Sequence, residues 1–369
     1  MLQPAIFPLT AINQAENMKA TLCQALNLQY PIVQAPMAGV STPELAAAVS
    51  NAGALGSISV GASTPDQART MIEKTVSLTP RPINVNVFCH APVVRDLPLE
   101  KAWIARFHDV FSRYEAEPPE ALSEIYQSFH NNAEMMAVLL AAAPAAISFH
   151  FGLPAADVLR QLKSRGIVTL ASITSVKEAL AAEAAGIDFV VAQGIEAGGH
   201  RGLFSPNEAD DQLSTFTLVQ AVKKASHLPV IGAGGIMDGA GIDAMLRLGA
   251  DAVQMGTAFI LCPESAANDA YRQALKSKQA VSTVMTTAIS GRPARCINND
   301  FCHFAQVFTR DSIPPYPLTY SLGKAIAAAA SAKGAHGFGA QWAGQGATLA
   351  REMPAAVLIR TLVAEWQAG

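Results

Sequence analysis

The stretch LPVIGAGGIMDGAGIDAMLRLGADAVQMGTAF, from Leu228 to Phe259, decides the fold. Val230-Ile231 is a short apolar run that ends at once in Gly232-Ala233-Gly234-Gly235. Asp251-Ala252-Val253-Gln254-Met255 ends the same way in Gly256-Thr257. With one short helix between them, the order is strand, glycine turn, helix, strand, glycine turn. Two consecutive parallel strands then present bare backbone N–H groups at their C-terminal ends, where glycine has no Cβ to hold a ligand away. A (β/α)8 barrel keeps its phosphate site after strands seven and eight, often at a short helix N-terminus. Either turn alone is an ordinary tight bend, but the pair, one strand apart, points to phosphate. The spacing is neither the Rossmann GxGxxG nor the GxxxxGK[ST] of P-loops.

Working upstream, the same alternation recurs. Pro31 to Gln34 reads as the first strand, Leu55 to Ile58 as the second and Ile83 to Val87 as the third. Ala146 to Phe149, Ile167 to Ala171 and Phe189 to Ala192 read as strands four to six. Helices are signalled between them. Ser41-x-x-Glu44 with Pro43 reads as a capping box, Thr64-Pro65 opens a second helix, and an Ala-rich helix from Thr174 to Ala185 closes at Gly186. Eight strands at βαβ spacing predict a (β/α)8 TIM barrel over residues 1–262, with an open doubly wound sheet as the alternative. Thr21 to Asn27 is expected to cap the closed end, and residues 1–19 read as irregular. Residues 88–145 exceed an ordinary connection and read as an insertion over the open face. After Cys262 the rhythm changes. Residues 263–346 are expected to form a smaller helical region containing the turn Ile313-Pro314-Pro315-Tyr316-Pro317, and 347–369 a helix returning to the barrel.

Composition narrows the function classes. Half of the 369 residues are hydrophobic and 15% are charged, so a large core is available. A net charge of −3 gives no reason to expect nucleic acid or an anionic membrane as partner. Five scattered cysteines form no CxxC, which argues against a disulfide framework or a zinc site and fits a reducing cytoplasm. No signal peptide is evident, and the longest apolar run, Met135 to Phe149, is too short to span a bilayer and is broken by Pro144.

Catalytic groups in such barrels sit at the C-terminal ends of the strands. Met37, Asn86, His150 and Gln193 fall there, and Gln193 to His200 is expected to form a flexible glycine loop. No lysine ends a strand, which disfavours Schiff-base chemistry. No pair of histidines or carboxylates has metal-ligand spacing, and there is no GxSxG elbow. What remains is amides, a histidine and glycines around a phosphate cradle. Asn86 and Gln193 can donate and accept along the polar edge of a flat heterocycle. The backbone of Ala35 to Ala38, with Met37, suits its face. A phosphate at one end and a planar ring across the mouth describe FMN. His150, in Ser148-Phe149-His150-Phe151-Gly152, is the catalytic candidate, although a histidine between phenylalanines is commonly a packed core residue. His200 is a weaker candidate.

Six ordered segments together resemble the nitronate monooxygenases, formerly called 2-nitropropane dioxygenases. They are PIVQAPMAGVSTPELAAAVSNAGALGS, NVNVF, SFHFGLP, AQGIEAGGHRG, PVIGAGGI and GADAVQMGTAF. The resemblance covers roughly Gln29 to the C-terminus and implies an FMN-bearing barrel with a smaller helical substrate-binding part. It implies FMN contacts at Ala35, Pro36, Met37, Asn86, Gln193, Gly198, Gly199, Gly234, Gly235, Gln254, Met255, Gly256 and Thr257. His150 matches the catalytic histidine. Tyr316-x-x-x-Tyr320-x-x-x-Lys324, with Tyr126 and Tyr271, resembles class I of the family, in which the tyrosines line the substrate pocket. On one helix, the spacing of four would align Tyr316, Tyr320 and Lys324 on one face.

The activity implied is oxidation of alkyl nitronates, propionate 3-nitronate foremost, by O2 to a carbonyl compound and nitrite, a detoxification. Substrate and O2 are the expected partners, in a cytoplasmic enzyme that is a monomer or a homodimer. The alternatives are an NADH-dependent FMN reductase of an enoyl thioester or a quinone, and a non-catalytic flavin-binding protein on the same barrel.

Overall fold

In the computed structural model, residues 21–369 are described; the segment 1–19 lies outside the described residues. Eight parallel strands form one sheet: β1 (Ile32–Gln34), β2 (Gly56–Ser59), β3 (Ile83–Phe88), β4 (Ala146–His150), β5 (Val168–Ile173), β6 (Phe189–Gln193), β8 (Val230–Ala233) and β9 (Ala252–Met255). β7 (Gly199–His200) belongs to a separate sheet. Between the two ends of that sheet order, β1 and β2, the Gln34 N–H donates to Leu55 O and the Leu55 N–H to Ile32 O, both at 2.9 Å. The sheet therefore closes into a (β/α)8 barrel, as the glycine turns and βαβ spacing predicted.

Period-two alternation divides every strand between two environments. Val85, Val87, Ile147, Phe149, Ile173, Val190, Val230 and Val253 pack outward in the main core. The inward set is stacked in layers. At the bottom, Val33, Leu55, Leu170, Val191 and Ile231 form an apolar floor with Leu22 and Leu26. Those two leucines come from a helix of five residues, Leu22–Leu26, started by a Thr21 capping box, which plugs the closed end. Above the floor lies a polar layer. Asn84 Nδ2 donates to Ser57 Oγ (3.1 Å) and Ser148 Oγ (3.0 Å), Asn86 Nδ2 donates to Ser148 Oγ (3.0 Å), and Ser59 Oγ donates to Asn86 Oδ1 (3.1 Å).

The helix after β1 runs Pro43–Asn51 and starts one residue later than the Ser41 box predicted. Thr42 is its cap, accepting from the Leu45 N–H at 2.9 Å. Ser41 turns inward, where its Oγ accepts from Met37 N (2.9 Å) and Gln34 Nε2 (3.0 Å) and so fixes the loop that follows β1. The expected insertion is also partly ordinary barrel. Helix Ala133–Ala142 packs beside helix Pro65–Leu78 as the helix after β3. The eighth barrel helix is the C-terminal one, Ala355–Ala368, which packs against Pro43–Asn51 and Gly239–Arg247.

A second core sits over the open face. Trp103, Phe107 and Phe111, from the segment after β3, pack with Phe301, Leu318, Leu322 and Ile326. This region is mainly helical but also carries a three-stranded antiparallel sheet: β10 (Thr283–Thr286), β11 (Ala294–Ile297) and β7. Tyr316 is not helical. It precedes helix Leu318–Ala332 and forms a cis peptide bond with Pro317.

Candidate active site

The barrel mouth and the second core enclose a cavity of about 630 Å³. One wall is backbone. Gly234 and Gly235 end β8 with φ of +127° and +72°, and Gly235 is exposed. Gly256 and Thr257 follow β9, and Ala35, Pro36 and Met37 follow β1. A Cβ on Gly198 would come within 2.5 Å of Gly344 N, so these two turns meet backbone to backbone. Gly344 N–H donates to Thr257 Oγ1 at 3.0 Å, which ties the second region to the glycine wall. Gly199, Gln254 and Met255 complete this side.

The opposite wall is aromatic. Tyr126 approaches Tyr316 and Tyr320 with ring centroids 6.3 and 5.8 Å away, and Lys324 Nζ lies 5.5 and 5.4 Å from the Tyr126 and Tyr320 ring centroids. Tyr320 and Lys324 are one helical turn apart, whereas Tyr316 joins them from the turn ahead of the helix. That turn packs against Gly291 (φ +93°), where a Cβ would come within 2.4 Å of Tyr316 N. Tyr271 enters from helix Asp269–Lys276, and its hydroxyl donates to the Trp342 carbonyl. Burial pushes the Tyr126 and Tyr320 hydroxyls up to about 12, so both remain protonated donors near neutral pH.

His150, Asn86 and Gln193 lie between the walls, and every residue singled out in the sequence lines this one cavity. Asn86 also belongs to the polar layer inside the barrel. Gln193 Nε2 donates to His200 O (2.9 Å) and its Oε1 accepts from Gly202 N (2.8 Å). His150 Nε2 lies 3.3 Å from His200 O. Burial, aided by the positive charge of Arg292, lowers the His150 pKa to about 4, so its imidazole is neutral at ordinary pH. Burial likewise lowers His200 to about 3; its Nε2 lies 2.9 Å from Ser290 Oγ. Phe151, directly after His150, has φ +73°, a conformation that costs a bulky residue on the order of 1–2 kcal/mol. Its ring touches His150 (4.4 Å), His200 (5.6 Å) and Tyr316 (5.3 Å).

The loop expected to be flexible is instead tied down by buried arginines and a carboxylate that sequence reasoning missed. Arg201 pairs with Asp210 (2.8 and 2.9 Å) and donates to Gln193 O and Gly194 O, while Arg295 Nε donates to Ile195 O. Glu196 accepts from Thr215 N and Oγ1. Trp342, also missed, lines the cavity beside His200, with ring centroids 5.0 Å apart. Arginine in a glycine-rich stretch gives no sequence signal that its partners will be carbonyl groups.

The residues fit a flavin phosphate. The glycine wall is open backbone at two adjacent strand ends. No Asp or Glu lines the cavity among the described residues, and its fixed positive charge is Lys324. Among the described residues no group of His, Cys, Asp or Glu could hold a metal ion, and no helix is long and apolar enough to cross a membrane.

A family profile described as nitronate monooxygenase matches residues 19–365. The chain belongs to the nitronate monooxygenase family. It is an enzyme, a flavin-dependent oxidoreductase, as the resemblance implied. Nitronate monooxygenases of Paraburkholderia phytofirmans and Pseudomonas aeruginosa are each 52% identical to it. The first aligns over 94% of this chain and 95% of the relative, the second over 92% and 97%. Among solved structures, a nitroalkane oxidase from Streptomyces ansochromogenes is 38% identical with a TM-score of 0.85, covering 92% of this chain and 96% of that one. FabK from Thermotoga maritima is 28% identical with a TM-score of 0.71, covering 95% and 97%.

Proposed function

We propose that this enzyme oxidises alkyl nitronates with O2 to a carbonyl compound and nitrite, using FMN, and that propionate 3-nitronate, a toxic anion, is its substrate. The carrying observation is a cavity lined, among the described residues, by no carboxylate, open to backbone at one end and to tyrosines and Lys324 at the other. The backbone of Gly235, Gly256 and Thr257 would hold the FMN phosphate; Asn86 and Gln193 would meet the polar edge of the ring, with Met37 near its face. Bound FMN supplies the redox chemistry between substrate and O2; the protein binds and orients. The tyrosine hydroxyls donate hydrogen bonds to nitro or carboxylate oxygens, and Lys324 attracts the charged tail. A preformed nitronate has already lost its α-proton, whereas a neutral nitroalkane needs a base, for which the neutral imidazole of His150 is the available group.

Oxygen uptake with ethyl nitronate, with no NADH added, tests this reading. Turnover is expected without NADH. An absolute need for NADH would move the assignment to the NADH-dependent FMN reductase alternative. Heat release and mass measurement of the cofactor are expected to give FMN; stoichiometric FAD would overturn that part.

A further inference from the structure

Arg292 is a buried cation beside the reaction site whose position the proposed function does not use. It is 3% exposed and does not line the cavity. Its guanidinium carbon stands 4.4 Å from the ring centroid of Phe151, which does line the cavity and which touches both His150 and His200. Its Nη1 donates to Leu203 O at 2.8 Å. Among the described residues Arg292 belongs to no ion pair, in contrast to Arg201, which holds Asp210 through two nitrogens. The carboxylate that acts on it from a distance, Glu178, spends its oxygens on Thr174 and on Phe204 N. The positive charge of Arg310 acts against it.

A buried charge without a counter-ion is costly, by several kcal/mol per ion even after relaxation. Burial does pull the Arg292 pKa down, to about 10, yet the group stays charged at neutral pH. Its field acts through ring atoms and not through water, so it is weakly screened. The backbone next to it is also held in a rare conformation, Phe151 at φ +73° and Gly152 at φ +147°, where a Cβ on Gly152 would strike Cys89 O at 2.8 Å. Strain and an unpaired charge are thus concentrated beside the same histidine.

We propose that Arg292 is a positioning residue whose buried charge biases the reaction site toward an anionic substrate, acting through the Phe151, His150 and His200 rings without touching the ligand. The inference rests on the nitronate reading given above. It divides the attraction of an anion into two parts: Lys324 at the exposed rim, and Arg292 behind the innermost rings. The groups facing His150 fit this arrangement. Arg292 and Arg201 both disfavour its protonation, His200 offers a carbonyl oxygen, and the rings of Phe88 and Phe151 lie against it, with buried His90 and Tyr316 on the Phe151 ring.

Two substitutions in the FMN-loaded enzyme separate charge from scaffolding. Arg292→Gln keeps a donor for the Leu203 carbonyl and removes the charge; Arg292→Lys keeps the charge and loses the guanidinium geometry. The probe is inorganic nitrite, the product anion, titrated against the flavin absorbance, alongside histidine ring titrations by NMR. Gln is expected to weaken nitrite binding about tenfold or more and to move the His150 and His200 titrations to higher pH. Lys is expected to stay within about threefold of the parent and to leave the titrations in place. Equal losses in both variants, or unchanged titrations with Gln, would overturn the proposal and leave Arg292 a strut for Leu203. Should Gln not fold, Lys carries the test: retained nitrite binding supports the charge role and its loss overturns it. Failure of wild-type nitronate turnover would sink the functional reading instead, and nitrite binding and the histidine titrations would still report on Arg292.

Discussion

The two walls of the cavity are built by opposite means. On one side Gly235, Gly256 and Thr257 offer main chain at the ends of adjacent barrel strands, with side chains withdrawn. On the other, Tyr126, Tyr316, Tyr320 and Lys324 offer side chains from three segments of a separate core. Backbone at a strand end is fixed by the whole barrel, so that wall suits an invariant group such as a phosphate. Side chains can change without disturbing the barrel, so the aromatic wall is where selectivity between substrates belongs. Substitutions on the first wall should therefore act all or none, and those on the second should grade kinetics.

The sharpest way to break the comparison is Gly235→Val. Gly235 is exposed at φ +72°, so a branched side chain there strains the turn and crowds Glu196, displacing the backbone that lines the cavity. We expect near-complete loss of flavin with the barrel's circular dichroism retained. Full flavin content would show that the phosphate binds elsewhere. Next in size is His150→Asn, between the walls. Turnover of neutral nitroethane should fall by roughly 10²–10⁴-fold, the usual worth of a general base, while ethyl nitronate stays within about tenfold. Equal collapse in anaerobic flavin reduction with both substrates would remove the base role.

The third test reads stability. Burial lowers His90 and His150 to about 4 and His200 to about 3, below the ordinary 6.5. Between those values the unfolded chain binds protons that the folded one refuses. Stability is therefore complete above about pH 6.5 and declines as pH falls toward about 4, by up to about 1.4 kcal/mol per pH unit per histidine. Tm measured across that range should drop, and His90→Phe should flatten the slope by one histidine's share. A Tm constant down to about pH 5 would mean these rings titrate normally. The smallest effect is expected from Lys324→Met. Lys324 is exposed and screened, so KM for propionate 3-nitronate should rise only severalfold, and more than KM for ethyl nitronate. Equal changes would show that it does not read the charged tail.

The glycine wall was legible because its signal is local: a short apolar run, then glycine, twice, at the spacing of a βαβ unit. The aromatic wall was legible only in part. Tyr320 and Lys324 follow helical spacing, but Tyr316 reaches the cavity from a turn set by its packing on Gly291. β10 and β11 left no alternation to read, since their pairing depends on each other and on β7 from a distant loop. Arg201, Arg292 and Arg295 were invisible for a related reason: they act on carbonyl oxygens and rings that only the folded chain brings to them. Ser41 looked like a cap because the pattern allows it, yet Thr42 holds that place while Ser41 bonds the loop after β1.

The second core has a consequence for motion. It joins Trp103, Phe107 and Phe111 to residues near 301–326, and these share few side chains with the barrel core. Units with separate cores open separately, each with its own free energy of local unfolding. Amides of helices Leu97–Ala105 and Leu318–Ala332 are therefore expected to exchange with solvent sooner than those of the barrel strands. We expect the aromatic wall to open and re-form as one piece over a closed barrel; equal protection of these helices and the barrel strands would overturn that.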